Sequence, residues 1–106
     1  VSTHKAHADY RRKALHLVLL RILSEQPGRQ SNSSELHAGL FFLHLVYEEH
    51  EVIAGLQFLQ LHQLIELTQL GEVRPNLYGA KLLRRGMDVV KGYVHVDGIL
   101  DSVERE

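Results

Sequence analysis

The sequence contains no cysteine. That excludes a disulfide framework, thiolate zinc sites and thiol chemistry. Lysine and arginine are absent from residue 30 through residue 73. Long apolar runs are absent too. Segments such as Leu17–Leu20 fall far short of the roughly 20 apolar residues that cross a bilayer. The polar opening residues lack the apolar stretch expected of a secretory leader. Proline occurs only as Pro27 and Pro75, and each marks a break in regular structure. Neither an internal repeat nor a low-complexity segment is present. What remains, 106 residues with 44% hydrophobic and 24% charged side chains, is the composition of one ordinary globular domain. A domain of that size buries a modest core and has no room for an elaborate deep active site. The expected organisation is one domain over residues 1–106, with 1–7 and 100–106 as loose tails.

The charges nearly cancel, twelve Lys and Arg against thirteen Asp and Glu, but they are blocked along the chain. Residues 1–29 hold six basic side chains: Lys5, Arg11, Arg12, Lys13, Arg21 and Arg29. The middle holds only glutamates among its charged residues. Residues 74–91 hold Arg74, Lys81, Arg84, Arg85 and Lys91 against Asp88, and the tail is acidic. A polar partner must therefore be argued from blocks rather than from the sum.

Hydrophobic spacing predicts helices first. Leu15, Val18, Leu19 and Ile22 form an i, i+3, i+4, i+7 stripe in a helix over 8–24, which ends at Pro27–Gly28. Leu17 and Leu20 lie off that stripe. A polar loop, 30–34, offers Asn32 or Ser33 as the N-cap of a second helix over 34–45. Its inner stripe is Leu36, Leu40 and Leu43, with Phe41, Phe42 and Leu45 on other faces. After an acidic turn, Val52, Leu56 and Leu59 predict a third helix over 50–62. Residues 64–69 and 73–78 then read as two strands around Gly71, with Pro75 marking an edge or a disruption. A short fourth helix over 82–91 ends at Gly92, and a short extended piece with a loose tail follows.

The expected fold is thus mainly α with a small β-hairpin: three helices, a two-stranded wing and a short fourth helix, the order of a winged helix-turn-helix. The passage from Leu56 to Ile65 is similar to the "L-x-x-L-x-x-x-G-L-[IV]" junction between a recognition helix and its first wing strand. Gln63 stands where that pattern has Gly, a position that usually takes a positive φ. Downstream, Leu82-Leu83-Arg84-Arg85-Gly86-Met87-Asp88-Val89-Val90-Lys91-Gly92 looks like "L-T-x-R-G-L-D-V-A-x-G". With Ala8–Arg12, Ile22–Gly28 and Asn32–His37, the chain resembles, over about residues 8–99, the small winged-helix (ArsR-like) proteins of Mu-like prophages. That resemblance implies a DNA-binding transcriptional regulator of phage or prophage type, acting in the cytoplasm of a bacterial host.

DNA affinity comes mainly from Lys and Arg on phosphates, and specificity from side chains at base edges. The backbone candidates are Arg11, Arg12 and Lys13 on the first helix and Arg74 and Lys81 about the wing. The third helix, which enters the major groove in this fold, has no cation, and Glu48, Glu49 and Glu51 crowd its start. Gln57 and Gln60 are the base-readout candidates. The surplus apolar residues Leu17, Leu20, Phe41, Phe42, Ile53 and Leu61 point to a partner surface, with a homodimer the first expectation. Arg84 or Arg85 can pair with Asp88 along the fourth helix.

The eight histidines, His4, His7, His16, His37, His44, His50, His62 and His95, form no closed ligand motif. No metal or cofactor is therefore expected. No nucleophile triad, catalytic carboxylate pair or phosphate loop is present, so an enzyme is not expected either. Two functions remain: a dimeric regulator of duplex DNA, favoured by the resemblance, and a protein-interaction module on the same scaffold, favoured by the residues of the third helix.

Overall fold

The computed structural model describes residues 3–72 and 74–101. Four helices and a three-stranded antiparallel sheet follow the order α1 (Thr3–Ser24), β1 (Gln30–Asn32), α2 (Ser33–Phe42), α3 (Glu49–Leu61), β2 (Ile65–Gln69), β3 (Tyr78–Leu82), α4 (Arg84–Val90). In the sheet β3 is central, with β1 and β2 at its edges.

The long first helix is the axis of the core. It buries Leu15, His16, Leu17, Leu19, Leu20 and Leu23, a set spread around most of its circumference. Neighbours explain the spread: α1 packs against α2, α3, α4 and the sheet, and Val96 and Ile99 from the C-terminal segment are buried in the same core. Leu17 and Leu20, expected at a partner surface, are 5% and 0% exposed. The expectation assumed one apolar face per helix, whereas this helix is covered on several sides. Its early start also corrects the loose N-terminal tail, because residues 3–7 are already helical. At the other end Leu100 packs on the core and its N–H donates to the Lys13 carbonyl at 3.4 Å. The remaining tail residues, 1, 2 and 102–106, lie outside the described residues.

Three helices end in the same motif. After α2, α3 and α4, His44, Gln63 and Gly92 take φ of 64°, 63° and 82°. The following N–H then reaches back to the third-from-last helical carbonyl: Leu45 to Leu40 at 2.9 Å, Leu64 to Leu59 at 3.0 Å, Tyr93 to Asp88 at 2.8 Å. These are Schellman caps, which satisfy carbonyls left unpaired at a helix end. Gln63 therefore adopts the geometry usual for Gly. At the N-terminus of α2, Asn32 Oδ1 accepts from the Glu35 N–H at 2.8 Å, as expected of that cap.

The sheet departs from the expected hairpin in two ways. The second strand runs over Tyr78–Leu82, not 73–78; Val73 itself is outside the described residues. Arg74 to Leu77 form a turn closed by Leu77 N–H to Arg74 O at 3.2 Å, with Asn76 at φ 66°. Pro75 pre-sets the first central position and Asn tolerates the positive φ at the second, the signature of a type II turn. Alternation then works from Tyr78 on: Ala80 and Leu82 are buried and Lys81 is exposed. The register pairs Ile65 with Leu82, Leu67 with Ala80 and Glu66 with Lys81. The other departure is β1, read from sequence as a polar loop, which pairs Gln30 with Lys81 and Asn32 with Gly79. Its three residues are too few to show a period. Residues 93–101 form turns, not an extended strand, with Gly98 at φ 94°.

Candidate functional site

Two surface features carry chemistry: a groove between α1 and α3, and an apolar patch at the end of α2.

Tyr47 ties the groove together. It is buried in the loop between α2 and α3. Its hydroxyl donates to the Arg11 carbonyl at 2.9 Å, and its own carbonyl accepts from His37 Nε2 at 2.6 Å. Burial pushes the Tyr47 hydroxyl above its ordinary pKa, against the pull of nearby Arg11. The Arg11 guanidinium lies 4.2 Å from the centre of the Tyr47 ring, a cation–π contact. Arg11 also donates to the Val46 carbonyl at 3.2 Å and to Glu51 at 3.4 Å. Glu51 is committed elsewhere as well, because its Oε1 accepts from the Glu48 N–H at 2.7 Å and so caps α3.

Deeper in the groove, His16 stacks on Phe58 with ring centres 4.1 Å apart and planes 5° from parallel. Phe58 meets His62, the residue that caps the end of α3, at 4.4 Å. His16 Nδ1 is 2.8 Å from the Gly98 carbonyl. A carbonyl only accepts, so Nδ1 carries the proton and donates. Desolvation lowers the His16 pKa below its ordinary value, opposed by that bond and helped by Arg12 and His62. Burial therefore favours the neutral ring, which serves as a structural clasp between α1, α3 and the C-terminal segment. Above this floor the groove opens into a cavity of about 570 Å³. Ala8, Ala54 and Gly55 keep its walls low, and Arg11, Arg12, His4, His7 and His50 stand at its rim.

The apolar patch consists of Phe41 and Phe42, 71% and 86% exposed, with exposed Leu43 and Val46 beside them. Phe41, Phe42, His44 and Val46 line a shallow depression there. A second depression continues from Val46 to Tyr10 on α1.

The expected DNA contacts scatter. Arg11 is held by Glu51 and Tyr47, Arg12 pairs with Asp9 one turn earlier, and the half-buried Lys13 contacts Leu100 through its carbonyl. Lys81 is exposed on the sheet opposite Glu66. Arg74 is exposed in the β2–β3 turn. Gln57 and Gln60 are exposed on α3, together with Leu61 at 79%. Ile53, expected fully at a partner surface, is half-buried at the edge of the same face. Phe41, Phe42 and Leu61 do reach the surface. Of Arg84 and Arg85, the two candidates for pairing with Asp88, Arg85 donates from Nε to the His62 carbonyl at 3.2 Å.

Sequence reasoning missed Tyr47 and the His16–Phe58–Gly98 clasp. A signal existed for the latter: a histidine set between Leu15 and Leu17, and an Asp97–Gly98 turn dipeptide downstream. Nothing local showed that the two meet. Among the described residues no three His, Asp or Glu side chains converge to hold a metal ion. No described helix is long and apolar enough to cross a membrane.

Comparison with protein-family models, curated proteins and solved structures returns no match to this chain. The resemblance drawn above accordingly rests on the residues quoted for it, and the fold stands as a compact α+β domain of four helices and a three-stranded antiparallel sheet.

Proposed function

We propose that this chain is a winged-helix domain working as a protein-interaction module, with a second copy of itself as the first partner. The order α1-β1-α2-α3-β2-β3 with β1 pairing on β3 supports the winged-helix reading. The patch of Phe41, Phe42, Leu43 and Val46 carries the interaction reading. Phenylalanines this exposed and this close together are rare on a monomer's surface unless something covers them. A formal charge of −1 sets up little repulsion between copies, and apolar patches are self-complementary across a two-fold axis. The dimer is thus assigned to the end of α2, not to α1, whose Leu17 and Leu20 are already buried.

Sedimentation at 10 to 500 micromolar, about the range of a modest dimer, tests this. The expected result is a concentration-dependent species of twice 12.1 kDa. The Phe42→Ser variant should shift it to monomer while circular dichroism shows it still folded. A monomer throughout for the parent chain refutes the self-association.

A second reading is the regulator of duplex DNA. The same element order and the exposed Arg74 at the tip of the hairpin favour it. With the Arg11 and Arg12 side chains engaged internally, about three of the candidate phosphate contacts remain, from Lys13, Arg74 and Lys81. The salt slope should then be near −3, a loss of roughly fortyfold between 50 and 200 mM salt. Arg74→Ala and Lys81→Ala should weaken binding uniformly, whereas Gln57→Ala should alter sequence preference. Absence of binding at 50 mM salt, about the most permissive useful condition, removes this reading.

A further inference from the structure

We propose that the groove between α1 and α3 is a binding site for a small aromatic carboxylate. The inference is independent of the function proposed above, because it uses neither the α2 patch nor the hairpin.

The volume suits such a ligand. A cavity of about 570 Å³ falls in the range of pockets that enclose small molecules, and such pockets combine an apolar floor with a few placed polar groups. Phe58 forms part of the floor, and its ring is immobilised by His16 at 4.1 Å and His62 at 4.4 Å. A ring already held in place loses little freedom when a second ring packs near it. Ala54 is exposed and leaves the mouth open.

The charge pattern selects an acid. Arginine and histidine side chains dominate the rim, and among the described lining residues Glu51 is the lone carboxylate. The Arg11–Glu51 contact is 3.4 Å, well beyond the roughly 2.7–2.9 Å of a strong charge-assisted bond. The same Glu51 Oε1 also accepts from the Glu48 N–H at 2.7 Å. Arg11 is therefore fixed in position by Tyr47, Val46 and Glu51, and both of its hydrogen bonds come from one terminal nitrogen, Nη2, which leaves donors on Nε and Nη1 for a ligand. A guanidinium has five N–H donors and pairs best with a planar carboxylate. A ligand carboxylate at Arg11 would direct its ring toward Phe58 along the groove. Arg12, three-fifths exposed and paired with Asp9 on the solvent side of α1, stands at the same rim.

Titration calorimetry of the full chain with 2-naphthoate, and with the neutral 2-naphthalenemethanol, tests the site. The parent should bind 2-naphthoate one to one, with a Kd on the order of 0.1 mM. Ala54→Trp fills the mouth without entering the core and should weaken both compounds at least about tenfold. Arg11→Gln should weaken 2-naphthoate by about tenfold and the alcohol by less than about twofold. Melting curves confirm that each variant is folded. No saturable binding to the parent at 1 mM, about ten times the expected Kd, overturns the proposal. So does binding that Ala54→Trp leaves unchanged, and equal loss of acid and alcohol in Arg11→Gln removes the carboxylate from it.

Discussion

Replacing Gly86 by alanine should unfold this domain more easily, although alanine is the better helix former. Gly86 lies in the first turn of α4, where the change to Ala ordinarily gains about 1 kcal/mol. Here a Cβ would sit 2.3 Å from the Leu64 carbonyl oxygen and 2.6 Å from Leu82 Cδ1. The closest comfortable carbon-to-oxygen approach is about 3.3 Å, so α4 must retreat by about 1 Å. Leu64 cannot yield instead. It is fully buried, its N–H completes the cap of α3, and its carbonyl accepts from the Leu83 N–H at 3.0 Å. Retreat stretches that last bond to about 4 Å and orphans it, at about 1–3 kcal/mol. Overpacking adds about 1–3 kcal/mol. Net of the helix gain, the loss is about 3 kcal/mol. For a domain this size that lowers the melting temperature by roughly 12–24 °C. Thermal and urea melts followed by circular dichroism measure it. Gly55→Ala is the milder comparison: its Cβ would meet side chains and no backbone, Leu19 Cδ1 at 3.2 Å and His16 Cδ2 and Leu15 Cδ2 at 3.4 Å, and the change should cost less than Gly86→Ala. A Gly86→Ala variant as stable as the parent would refute the docking of α4 on Leu64.

Other outcomes follow from the same packing. Gln63→Gly relieves a positive φ at the α3 cap and should stabilise by about 0.5–1 kcal/mol in urea melts; destabilisation would contradict the cap. Leu20→Ala should cost about 2–5 kcal/mol and Leu61→Ala less than about 0.5, reversing what a partner role for both would give. His16 has its pKa lowered on folding. Its contribution is complete above the unfolded value of 6.5 and is lost as pH falls through the lower folded value. His95, exposed between Asp97 and Asp101, is shifted up, chiefly by its hydrogen bond to Asp101. Its contribution is present below 6.5 and fades as pH rises through the folded value. His16→Gln keeps a donor for Gly98 but does not titrate, so its melting temperature should fall less between pH 7 and 5 than the parent's; parallel curves would exclude His16 as the acid-sensitive group.

Much of the architecture was readable along the chain because it is set locally. The α1 stripe, the Pro27–Gly28 break, the Asn32 cap, the 3.6-residue period of α3 and the Gly92 stop each depend on neighbours within a turn or two. The same holds for the absences: without cysteine there is no thiol chemistry, and without Lys or Arg from 30 to 73 the exposed face of α3 carries no cation. Those features belong to the sequence alone.

Tertiary structure decided the rest. Whether Leu17 and Leu20 meet water or core depends on what lies across from α1, and the answer includes Val96 and Ile99, some eighty residues away in sequence. The strand at Gln30–Asn32 exists only because β3 offers it an edge. Arg11 reads as a free cation in a basic cluster until Tyr47 and Glu51, packed from the α2–α3 loop and α3, take hold of it. The groove itself is a space between two helices, and no single segment encodes it. Local chemistry is written in runs of adjacent residues. Burial, pairing and cavities are properties of surfaces that meet only when the chain has folded.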